Sequence, residues 1–138
     1  MSSSWDRLGR RQQLARAVLD EIGRTGRPAV PATFRAAVDA EFGNFGGFLN
    51  EVQLGWYRAF DARLDAVLED QPDDLPAAVA DIRAGLADAM PASRLLLDTH
   101  AAHPALRALH EHHRRTLRSA TGTNQEPGSR DDRYRPAG

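Results

Sequence analysis

The sequence predicts an all-α fold: a single-domain bundle of five to six helices around a long, aromatic-rich central helix, with a disordered C-terminal tail. Three observations carry this expectation. Apolar residues recur at three- and four-residue steps along most of the chain, and no segment alternates with the period of two that a strand requires. Prolines, glycines and short polar residues stand where helices would start and stop. The length of 138 residues suits one ordinary domain and leaves little room for a second. The bundle is placed at 1–119 and the tail at 120–138.

The first helix is expected from Trp5 to Ile22, with Leu8, Ala15, Val18, Leu19 and Ile22 as its apolar stripe, Ser4 as N-cap, and Gly23 and Gly26 at its end. Pro31 suits the first turn of a second helix that runs to Phe42 and buries Phe34, Val38 and Phe42. Gly43 stops it, and Asn44 caps a third helix from Phe45 to Glu69. There Leu49, Val52, Trp56, Phe60, Leu64, Val67 and Leu68 form the stripe. Phe48, Trp56, Tyr57 and Phe60, four of the nine aromatic residues, fall within this helix and Phe45 sits at its start, which makes it the central one.

Asp73 and Asp74 supply acidic caps for a fourth helix to Ala89, with Leu75, Val79, Ile82 and Leu86 inward. Pro91 restarts the chain into a short fifth helix bearing Leu95 and Leu96. Pro104 opens a sixth, to Ser119, with Leu106, Leu109, His113 and Leu117 near one side. From Ala120 onward no apolar period survives, and too little surface is available for burial to offset the entropy of ordering.

Composition narrows function by exclusion. The 18 basic residues are all arginine, and cysteine is absent. Disulfides, thiol nucleophiles, Cys-ligated zinc or iron–sulfur clusters, and Schiff-base or P-loop lysine chemistry therefore drop out. No apolar run nears the roughly 18–20 residues of a membrane span, and no signal core leads the chain, so a cytoplasmic location without membrane contact is expected.

The formal net charge of -1 conceals a division. Residues 1–29 carry +3, residues 30–103 carry -7, residues 104–119 carry +3, and the tail is neutral. Complementary packing of helices accounts for this without function. The functional alternative is a basic face of Arg10, Arg11, Arg16, Arg114, Arg115 and Arg118 that meets an acidic partner or nucleic-acid phosphates.

All five histidines lie between His100 and His113. His110 and His113 share a helix face, and His100 and His103 flank the entry at Pro104, so these four are the candidate metal ligands or pH sensors. The spacing matches no zinc or di-iron motif, and no cofactor is expected. Serines sit outside any nucleophile-elbow context, and Asp61 and Asp65 read as part of a solvated ion-pair row, so an enzyme is not expected. Tyr57, off the main stripe with Leu54 and Asp61, is the candidate interface contact.

The second and third helices also have the spacing of a helix-turn-helix, with Asn44, Asn50 and Gln53 as base-reading side chains but no basic residue before Arg58. The run Tyr57-x-x-Phe60-Asp61-x-Arg63-Leu64-x-x-Val67-Leu68 resembles the segment that closes the DNA-binding domain of tetracycline-repressor-type regulators. His103-Pro104-Ala105-Leu106-Arg107-Ala108-Leu109 is similar to parts of their ligand domains. The resemblance implies a DNA-binding regulator. It is local: the interval from Gly26 to Tyr57 is longer than in that family, and its turn pattern of Gly, small apolar residue and Ser is absent. The leading expectation is a small non-enzymatic interaction or regulatory protein that engages a protein partner or a second copy of itself. A degenerate DNA-binding regulator and a histidine-based metal-binding protein are the alternatives.

Overall fold

Residues 4–121 are described by a computed structural model, with side chains to residue 119. Six α-helices and one short 3-10 helix account for nearly all of them, and no strand occurs among the described residues. The helices are α1 (Ser4–Thr25), α2 (Arg35–Phe42), α3 (Phe45–Glu69), α4 (Leu75–Ala89), α5 (Pro91–Thr99) and α6 (Pro104–Thr121), with the 3-10 turn Ala32–Phe34 before α2. The all-α expectation holds. Beyond Thr121, the expected tail lies outside the described residues.

Local chemistry fixes most helix ends. α1 begins already helical at Ser4 and passes through Gly23. It stops at Gly26, whose φ of 74° turns the chain while its N–H bonds the Ile22 carbonyl at 2.8 Å. Pro31 does not open α2. It stays extended at ψ 148°, and one 3-10 turn, closed by Phe34 N–H to the Pro31 carbonyl at 2.9 Å, precedes the α-helical ladder. Gly43, at φ 88°, ends α2, and the Asn44 side chain accepts from the Gly47 N–H at 2.8 Å to cap α3. Asp74 caps α4 in the same way, accepting from the Ala77 N–H at 3.0 Å.

The structure divides after Leu106 into two compact units, the second beginning at Arg107 within α6. The first unit holds two apolar clusters. One joins Val18 and Ile22 of α1, Val38 and Phe42 of α2, Phe48, Leu49 and Val52 of α3, Leu96 and Leu97 of α5, and Leu106. The other joins Phe60 of α3 with Ile82 and Leu86 of α4, and Trp56 packs against both. Each side chain enclosed in this way stabilises the fold by about 1.5–3 kcal/mol. The second unit consists, in its described part, of the α6 residues from Arg107.

Four leucines on the expected inward stripes are exposed: Leu8, Leu68, Leu75 and Leu95. α3 is roughly 37 Å long, whereas α4 and α5 have 15 and 9 residues. A stripe is covered only where a neighbour passes, so leucines near helix ends stay in water. In α5 the inward positions are Ser93, Leu96 and Leu97 rather than Leu95 and Leu96.

Candidate functional site

A cleft of about 280 Å³ opens in the first unit where four separate stretches of chain converge. Val30 arrives from the loop after α1, Arg35, Val38 and Asp39 from α2, Phe45 from the start of α3, and His100 from the end of α5. Val30 and Val38 are buried, Phe45 and His100 half-buried, and Arg35 and Asp39 exposed. The walls are thus apolar and the mouth carries charge of both signs.

Each wall is held by a specific contact. His100 Nε2 donates to the Pro28 carbonyl at 2.9 Å, since a carbonyl oxygen only accepts, and this ties the loop after α1 to the end of α5. The His100 ring meets Phe45 edge-on, with centroids 4.9 Å apart and planes at 77°. His103 lies on Phe45 too, at 6.1 Å, and its Nδ1 accepts from the Ala105 N–H at 3.1 Å, which requires that nitrogen to be unprotonated. Gly46 makes this approach feasible: a Cβ there would stand 3.1 Å from the His103 ring.

Comparison with protein-family models, curated proteins and solved structures finds no match. Function must therefore be argued from the side chains themselves.

The four candidate histidines are divided between the two units. His100 and His103 serve the Phe45 wall, while His110 and His113 are half-buried on α6 in the second unit. Among the described residues no group of three or more His, Asp or Glu side chains is arranged to hold a metal ion. His110 is held below the ordinary histidine pKa, first by burial and then by the positive charges of Arg114 and His113. The folded state favours neutral His110, so its contribution is present above the ordinary value and is lost as the pH falls through the folded value. An NMR titration should give a His110 midpoint below that of a free histidine. His110→Gln should lessen the destabilisation that acidification causes. A midpoint at or above the free value would contradict the burial argument.

The six arginines of the candidate basic face also differ in use. Arg11 is engaged internally: it donates to the Glu41 carbonyl at 2.9 Å, pairs with Glu51 at 3.3 Å, and lies 4.7 Å over the Phe42 ring. One guanidinium thus fastens α1 to the end of α2 and to α3. Arg114 and Arg115 both pair with Glu111, at 3.0 and 3.7 Å, on their own helix. Arg10 and Arg16 are exposed on α1, and Arg118 is half-buried on α6.

α2 and α3 do meet through the short Gly43–Asn44 turn, but the first half of α3 faces inward. Gln53 is only 3% exposed, Asn50 is half-buried, and Glu51 is shared between Arg11 and Arg58. Tyr57 is half-buried beside exposed Leu54 and Arg58. Sequence reasoning missed Val30, Arg35 and Asp39. Only their convergence in space sets them apart, and no local pattern signals it.

Proposed function

We propose that the protein is a small non-enzymatic helical interaction and regulatory protein that works through self-association of its bundle surface. The observation that supports this reading is the start of α1, where Trp5 is 79% and Leu8 42% exposed, three residues apart on one helix face. Tryptophan is enriched among residues that dominate binding energy. Burying one Trp and one Leu contributes about 3–6 kcal/mol by area, which falls short of much of the range of about 4–15 kcal/mol that association costs. A two-fold dimer contributes the same patch twice, which brings the apolar term into the range of that cost. The patch therefore suits a second copy of this chain better than a smooth partner surface. The DNA-reading alternative has less support, because Gln53 and much of Asn50 are withdrawn from solvent.

Sedimentation velocity over a dilution series tests the proposal. The wild type is expected to associate with rising concentration, and the double variant Trp5→Ser/Leu8→Ser to remain monomeric with unchanged helical circular dichroism. A wild type that is monomeric up to its solubility limit, or association that survives both substitutions, would overturn it.

A further inference from the structure

The cleft beside Phe45 points to a second property, which does not rest on self-association. Its volume of about 280 Å³ lies just below the range of drug-sized ligand pockets, about 300–1,000 Å³, so its occupant is small. Val30, Val38 and Phe45 offer an apolar wall, and Arg35 and Asp39 stand one helical turn apart on α2 at its mouth. Neither forms an ion pair with a described residue. A guanidinium and a carboxylate are thus both left in water beside an apolar recess.

Charge complementarity selects among small ligands. A plain carboxylate would satisfy Arg35 but bring a second negative charge towards Asp39. A plain amine would satisfy Asp39 and be repelled by Arg35. A zwitterion carries both charges and has no net charge, so each end meets its opposite. The geometry points to a binding site for a free amino acid with an apolar side chain: carboxylate to Arg35, ammonium to Asp39, side chain against Val30, Val38 and Phe45. His100 acts as a positioning residue, because its bond to the Pro28 carbonyl holds the loop that supplies Val30. Binding here would tie the loop after α1, α2 and the end of α5 together around one ligand, as a ligand-sensing regulator requires.

The test uses leucine, with isocaproate (the same molecule without its amine) and isoamylamine (without its carboxylate) as probes, followed by NMR of the full chain. Leucine is expected to give saturable shifts at Val30, Val38 and Phe45, with each truncated probe about three- to fivefold weaker, because a charge pair made with an exposed group is screened by water. Arg35→Gln and Asp39→Asn are exposed, charge-only changes that should leave the melting temperature near wild type and weaken leucine by a similar factor. Equal binding of isocaproate and leucine, unaltered affinity in both variants, or no saturable shift up to the solubility of leucine would each overturn the proposal. If either variant fails to fold, the truncated probes on the wild type decide the matter alone.

Discussion

Gly47→Ala is expected to cost about 3 kcal/mol of stability, out of proportion to the single methyl added. A Cβ at this position would stand 3.0 Å from the Phe42 carbonyl carbon and closer still to its oxygen. The obstacle is backbone, so no side-chain rotation relieves it. To make room, the end of α2 and the first turn of α3 must part. That movement stretches the bond from the Gly47 N–H to Asn44 and disturbs the turn that Gly43 closes onto the Asp39 carbonyl. Gly55→Ala is the control, since the nearest atom there is the tip of Arg58 at 3.9 Å. In a helix interior it should stabilise by roughly 0.5–1 kcal/mol. Urea melts of the two variants should therefore move in opposite directions. A Gly47→Ala midpoint equal to wild type would show that the α2–α3 turn is looser than described.

The second large effect is expected at Phe48. Its ring is fully enclosed and meets Phe42 edge-on at 5.5 Å and 65°, inside the cluster that α1, α2, α3 and α5 share. Phe48→Ala removes the largest enclosed side chain and leaves a cavity, with a cost of about 3–5 kcal/mol against a typical total of about 5–15 kcal/mol. Phe48→Leu keeps most of the volume and should lose much less. Leu68→Ala, on the exposed end of α3, should change stability by no more than about 0.5 kcal/mol. Thermal melts followed by circular dichroism separate the three. A Phe48→Ala protein that melts with the Leu68→Ala protein would contradict the assigned core.

Elements whose ends depend on local chemistry were legible in the sequence. Asn44 and Glu69 bound α3 as its cap and its stripe predict, and Asp74 starts α4 through its own carboxylate. What depends on neighbours was not. Phe48 and Leu49 are adjacent in sequence, and both are enclosed, because partners approach α3 from more than one side. Leu75 continues a proper inward stripe and is exposed, since it is the first residue of α4. Arg11 reads as a surface charge until Glu41 and Glu51, thirty and forty residues away, are seen to hold it. The cleft is the extreme case. Val30, Arg35, Asp39, Phe45 and His100 share no motif, and their chemistry exists only after the chain has folded.

The place of Trp56 between the two apolar clusters has an optical consequence. The chain contains two tryptophans, and Trp5 is already largely in water in the folded state, so its emission changes little on unfolding. Intrinsic fluorescence of a monomer therefore reads the half-buried indole of Trp56, which touches both clusters. If the α3–α4 cluster opens before the other, that emission shifts ahead of the loss of helix. If the first unit melts as one cooperative body, fluorescence and circular dichroism follow one curve.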